Sequence, residues 1–192
     1  MIEVPLPLPS AARELLACAL RTLTLLATHR IREPSRHLGQ RICFADGTES
    51  TVYRETVIDR EPPLDPAVLV VSFRLRRVHR AWMHAVFRWE SELNTVLFAG
   101  FPGLVSKLWL RHDQNDLYRG FYQWDGPERA VAYVRALWWV LALVSERESI
   151  HYAVLPGLDR DQVLTDPGMV DGLAASPGGW WRPTGVHAGV RT

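Results

Sequence analysis

The first third of the chain changes its hydrophobic period once. After a lead-in with proline at positions 5, 7 and 9, the residues Leu15, Leu16, Ala19, Leu20, Leu23, Leu26 and Ala27 recur every three or four positions. Arg13, Ala17, Arg21, Thr24 and Thr28 fall on the other side, so the pattern predicts an amphipathic helix. Ser10 is its expected N-cap, with Glu14 one residue beyond the capping-box position, and Pro34 is its stop. The period then shortens. Arg41-Ile42-Cys43-Phe44, the pair Asp46-Gly47 and the β-branched run 51–58 read as a hairpin. The proline-rich stretch 61–66 breaks the pattern, and a module boundary is expected there, with residues 1–62 as an N-terminal extension.

The middle of the chain alternates more regularly. Strands are predicted over 68–75, 104–111, 117–124 and 149–155. A helix is predicted over 81–98, where Trp82, Val86, Trp89, Leu93 and Val96 are spaced by three or four. A second helix opens at Asp125, with Glu128 at capping-box distance, and runs to about Val144. The order β-α-β-β-α-β over 63–156 predicts an α+β, ferredoxin-like core preceded by a helix and a hairpin. From Gly157 onward glycine and proline dominate without periodicity, so 157–192 is expected to be a flexible tail, with Trp180-Trp181 as an anchor for part of it.

Two surfaces in this plan need cover. The second helix carries one apolar stripe through Ala130, Val134, Leu137, Trp138 and Leu141, and another through Tyr133, Ala136, Val140, Leu143 and Val144. A helix on one sheet needs a single apolar face, so the N-terminal helix or a second subunit must cover the other. The sheet poses the same question. Phe73, Trp109, Phe121, Tyr122, Trp124 and Tyr152 occupy strand positions of both parities, so the face away from the helices also looks apolar and suits pairing with another copy. Homodimerisation is the expectation.

Composition narrows the classes of function. The 192 residues carry 22 basic and 21 acidic groups, a net charge of +1, which argues against a dedicated nucleic-acid binder. Two cysteines, Cys18 and Cys43, point to a reducing cytoplasm rather than a disulfide scaffold. The start has neither a basic n-region nor a cleavage site, and the apolar run 15–27 contains Arg21 and is too short to span a bilayer. Arg30, Arg32, Arg36, His37 and Arg41 follow the N-terminal helix. Contact of that helix with an anionic membrane surface is therefore an alternative to its packing on the second helix. The scattered histidines offer no metal-ligand spacing, and no glycine-rich phosphate loop or G-x-S-x-G is present, so no metal and no cofactor is expected. Haem or flavin is a minor option.

The run 103–110, Gly-Leu-Val-Ser-Lys-Leu-Trp-Leu, the run 118–124, Tyr-Arg-Gly-Phe-Tyr-Gln-Trp, and the helix opening Pro127-Glu128-Arg129-Ala130 with Tyr133 together resemble the YdhR-like monooxygenases. These are relatives of the antibiotic-biosynthesis monooxygenases within the dimeric α/β-barrel superfamily. The resemblance covers residues 67–156, about half the chain. It implies a homodimer whose sheets pack into a barrel, and a pocket between sheet and helices in each subunit. The activity it implies is weak, because fold does not fix function.

One residue carries most of the chemical interest. Twenty-one of the 22 basic residues are Arg and the remaining one is Lys107, at the centre of a predicted strand. A buried Lys can shift its pKa, act as a base or hold an enolate, where Arg is poorly suited to moving a proton. The plain alternative is a lone lysine left by codon usage at a sheet edge. His151 is the second catalytic candidate, a general base for a phenol or 1,3-dicarbonyl, although a lone strand histidine is more often structural. Glu90 and Asn94, one helical turn apart, together with Trp109, Arg119, Tyr122 and Trp124, are the expected substrate-binding set, with Gln123 near them. The expected function is cofactor-independent oxygenation of a small apolar, aromatic or polyketide-like ligand through an enolate. The alternatives are an isomerase or cyclase on the same scaffold, and a non-catalytic ligand-binding or dimeric interaction module.

Overall fold

The computed structural model describes residues 5–76 and 98–189. Helix α1 spans Leu8–Ala27. A short strand β1, Ile31–Arg32, leads to the hairpin β2 Arg41–Phe44 and β3 Glu49–Ile58. Then come β4 Pro66–Arg74, β5 Leu104–Leu110, β6 Leu117–Asp125, α2 Pro127–Val144 and β7 His151–Pro156. Helix α3 Arg160–Thr165, a 3-10 turn over Pro167–Val170 and β8 Pro183–His187 complete the chain. The helix expected over 81–98 lies almost wholly outside the described residues.

Strands β7-β4-β6-β5 lie side by side in that order, every pair antiparallel. In chain order this is fourth, first, third, second, the ferredoxin-like arrangement, and the fold is α+β. The sheet does not end there. β3 pairs with β5, β2 with β3 and β8 with β2, giving eight strands with β1 added beside β3. The proline-rich break at 61–66 therefore separates no module, since the hairpin before it continues the same sheet.

Two local devices set which residues face which side. Asp113 organises the β5–β6 turn: its carboxylate accepts from the backbone N–H of Asn115 at 2.7 Å and of Leu117 at 3.0 Å. Such side-chain-to-backbone bonds are how an Asp shapes a turn. In β5 the register against β6 slips between Leu104 and Ser106, a bulge that lets Leu104, Lys107 and Trp109 share one face. Expected caps shift as well. α1 starts at Leu8 behind Pro7 with no side-chain cap, and Pro9 sits within its first turn, where a missing N–H costs nothing. Asp125 does not cap α2, whose N-cap is Gly126; it binds the N–H groups of Leu64 and Asp65 and the Arg60 guanidinium instead.

One sheet face carries α2, with Leu69, Val71, Trp109, Tyr122 and Trp124 against Ala130, Tyr133, Val134 and Leu137. α1 lies on α2 but covers its second stripe only in part, since Leu143 stays 75% exposed and Leu16, Leu20 and Leu23 of α1 are exposed as well. Leu6 N–H donates to the Arg135 carbonyl and Trp139 Nε1 donates to the Leu6 carbonyl.

The other sheet face corrects two expectations. Val68, Val70, Leu108, Phe121, Ala153 and Leu155 on that face are packed beneath Ile42, Phe44, Val163, Leu164, Val170 and Trp181. The cover belongs to this chain, so the surface expected to seat a second copy is already occupied. The same contacts replace the expected mobile tail. The segment from Gly157 supplies α3, a 3-10 turn and β8, and Trp181 is 2% exposed. Isolated apolar anchors and a strand edge order it without any periodicity.

Candidate functional site

Lys107 stands at the centre of β5, opposite Tyr122 on β6 and Thr56 on β3. It is 5% exposed and points to the α2 side. Its Nζ lies 3.1 Å from the Trp109 ring centre, 4.5 Å from that of Phe98 and 4.9 Å from that of Tyr122. Trp109 is fixed in turn: its indole N–H donates to Thr56 Oγ1 at 3.1 Å, and Phe98 meets it edge-on. Rings favour an ammonium, but loss of water disfavours it more. Burial, with the Arg54 guanidinium nearby, holds the Lys107 amine well below its ordinary 10.5. Among the described residues no carboxylate pairs with it.

Two tyrosines extend the chamber. The hydroxyls of Tyr122 and Tyr133 are 3.3 Å apart, and burial pushes both phenols up, so they remain protonated donors. Trp124 packs on Tyr133 with ring centres 5.1 Å apart. It is wholly buried, and among the described residues its Nε1–H has no hydrogen-bond partner. Cys18 of α1 borders the same core cluster, its thiol pushed up to about 11 chiefly by burial. This packed cluster, the Lys107 chamber, combines a dehydrated amine, a phenol pair and, among the described residues, an unpartnered N–H donor among apolar rings.

Of the residues singled out in the sequence, Lys107, Trp109, Tyr122 and Trp124 come together here. Glu90 and Asn94 lie outside the described residues. Arg119 and Gln123 do not join this cluster, because β6 sends alternate residues to opposite faces and theirs is the opposite one. Arg119 is consumed there by Asp113 at 2.6 Å, Asp46 at 2.8 Å and the Trp180 carbonyl at 2.9 Å. Gln123 accepts from the Arg160 N–H and donates to backbone carbonyls. His151 also falls on that second face, exposed and 5.9 Å from the Trp180 ring, too far round the sheet to serve Lys107.

The second face holds a cluster that was not anticipated. His37 Nδ1 meets Glu55 Oε2 at 2.9 Å, Arg160 meets Glu55 Oε1 at 2.9 Å, and Arg160 also meets Asp161 at 2.7 Å. His37, Glu55 and Arg160 are all buried. A carboxylate lies near each His37 ring nitrogen, so His37, Glu55, Arg160 and Asp161 form one polar network on this face. An open cleft of about 420 Å³ beside it is lined by Arg36, Asp161, Gln162, Thr165, Asp166 and Met169. The cluster's signals in the sequence are Arg36 and His37 in the basic run after α1, and Glu55, a carboxylate within a β-branched run. Among the described residues no group of three or more His, Cys, Asp or Glu is placed to hold a metal ion, and no helix is long and apolar enough to cross a membrane.

No family model and no curated protein sequence matches the chain. A solved structure from Listeria monocytogenes 4b F2365, an uncharacterized ferredoxin-fold protein related to antibiotic biosynthesis monooxygenases, is similar at 13% identity and a TM-score of 0.43. The match covers 59% of this chain and 66% of that one.

Proposed function

We propose that the chain is a small enzyme acting, without a cofactor, on a flat aromatic or polyketide-like carbonyl compound in the Lys107 chamber. The observation that carries this is the single lysine, buried among Phe98, Trp109 and Tyr122 with its amine held toward the neutral form. A neutral amine can take a proton from a CH2 activated by a neighbouring carbonyl. The ammonium so formed stays beside the enolate, and the hydroxyl of Tyr122 and the free N–H of Trp124 donate to its oxygens. The electron-rich carbon then adds O2, and the resulting peroxide loses water. In sum, CH2 plus O2 gives C=O plus H2O; the carbon is oxidised by four electrons and the dioxygen is reduced by four. His151 has no part in this scheme, because it lies across the sheet.

The test is oxygen uptake with anthrone-like phenols and 1,3-diketones, for wild type and Lys107→Arg. Uptake lost in a folded Lys107→Arg protein supports the proposal. Equal turnover without oxygen would leave an isomerase or cyclase on the same residues.

One observation favours a second reading. Nζ sits against the Trp109 ring, and Lys107 lines neither the cleft beside Arg36 and Asp161 nor the one beside Arg74 and Asp113. On that reading the chamber is a ligand-binding or purely structural core, and Lys107→Arg changes no turnover at all.

A further inference from the structure

We propose that Lys107 engages its substrate covalently, its amine condensing with the ketone or aldehyde carbon of an aryl-bearing molecule to form an imine. This rests on the chamber being a reaction site, and it specifies how the carbonyl group is held there.

Among the described residues the buried arginines and the buried lysine fall into two kinds. Arg119 is paired with Asp46 and Asp113, and Arg160 with Glu55 and Asp161. Each therefore has two carboxylates to offset the loss of water. Lys107 has none among the described residues and faces rings instead. A buried side chain kept for its charge needs partners. One kept as an uncharged nucleophile needs their absence, and a desolvated lysine beside another cation is the usual arrangement of an imine-forming amine. Arg54, whose guanidinium also pairs with Glu33, is the neighbouring cation, its Cζ lying 5.4 Å from the Trp109 ring centre.

The other parts required are also in place. Lys107 is held on both flanks by strand pairing, so its backbone is fixed opposite Tyr122. Tyr122 and Tyr133 form a hydroxyl pair that can deliver a proton to the carbonyl oxygen and regain one. The unpartnered, wholly buried Trp124 N–H is matched by a second acceptor oxygen on the substrate, since a buried donor left unpaired is costly.

In the addition step the nitrogen lone pair forms the N–C bond. The C=O π pair moves to oxygen, which takes a proton from Tyr122. The carbinolamine then loses its hydroxyl group as water while the C=N bond forms, so amine plus carbonyl gives imine plus water and no oxidant is needed. Protonation of the imine makes the adjacent C–H acidic, and its loss gives an enamine. Water returns the free amine at the end.

The presence of a single lysine makes the test direct. The full-length chain is incubated at pH 7 with benzaldehyde and reduced with borohydride, and the peptide containing Lys107 is weighed; melting temperature is read with and without benzaldehyde. The expected result is one benzyl group per chain on that peptide, absent from Lys107→Arg, whose fold is checked by circular dichroism. A raised melting temperature with an unmodified Lys107 peptide overturns the imine and leaves the base role standing. Neither a shift nor an adduct, in a chain whose urea-unfolded form does take the label, overturns the chamber reading and the imine with it.

Discussion

The Arg160 guanidinium meets the Glu55 carboxylate at 2.9 Å, with the two side chains 5% and 3% exposed, across 105 positions of sequence. The contact ties the segment after Gly157 to the strand that extends the sheet. Burial alone would push the Glu55 carboxyl up, but the hydrogen bond from His37 and the charge of Arg160 outweigh it and hold it below its ordinary value. A depressed carboxylate stabilises the fold above the unfolded pKa, and that stability is lost as pH falls through the folded value. Glu55→Gln leaves Arg160 buried with only Asp161, and is expected to cost about 3–5 kcal/mol at pH 7. Urea unfolding at pH 7 and pH 4 checks it. The gap between variant and wild type should narrow toward the acid end; equal stability at pH 7 would mean the pair holds nothing together.

Strand identity and core topology were legible in the sequence because period-2 runs and glycine–proline punctuation mark them directly. Facing was not. It depends on Asp113 closing a five-residue turn and on the slip in β5 after Leu104, and neither leaves a periodic trace. Tyr122 and Trp124 share a parity and do share the chamber, whereas Arg119, at the other parity, was drawn into it only by proximity in sequence. The cover of the second face stayed hidden for a different reason. Val163, Leu164, Val170 and Trp181 are single anchors in a glycine-rich segment, and such a segment reads as disorder unless its contacts are known.

Trp181 tests that cover. Its ring is buried at 2% exposure, and its indole N–H donates to the Ser176 carbonyl at 2.8 Å. Trp181→Ala empties a site against the sheet and is expected to lower stability by about 3–5 kcal/mol. Thermal melting and near-ultraviolet circular dichroism would show this. A change below about 0.5 kcal/mol, the range of a surface substitution, would mean the segment packs on nothing.

His151 and Arg119 separate surface from structure on the same face. His151 is exposed at the start of β7, so His151→Ala is expected to stay within about 0.5 kcal/mol of wild type and to leave any Lys107-dependent turnover intact. Loss of turnover in a stable His151→Ala protein would return the histidine to the site. Arg119→Met strands Asp113, which burial pushes up but which bonds from the Leu117 N–H and Arg119 hold below its ordinary range. It is expected to destabilise by about 3–5 kcal/mol, because the turn that sets strand register depends on that carboxylate. Amide exchange over 111–118 would report the loosening.

Lys107 itself should leave a mark on stability that requires no substrate. Its amine is held well below 10.5 by burial, with Arg54 adding to the effect. Between the lowered value and 10.5 the unfolded chain binds a proton that the folded chain resists. Stability therefore rises with pH across that window, by at most about 1.4 kcal/mol per pH unit. Tyr122 and Tyr133 are raised by burial and the Cys18 and Cys43 thiols are raised from 9.0, so it is the difference between wild type and a lysine-free variant that isolates the lysine. Lys107→Met keeps an unbranched side chain among the rings, where sulfur packs well, and lacks the titrating group. It is expected to equal or exceed wild type in stability at pH 7, with wild type gaining on it toward pH 9. Parallel stability curves for the two proteins would show that the amine keeps its proton in the fold. That result would remove the basis for both the base and the imine, and leave Lys107 as a cation caged by aromatic rings.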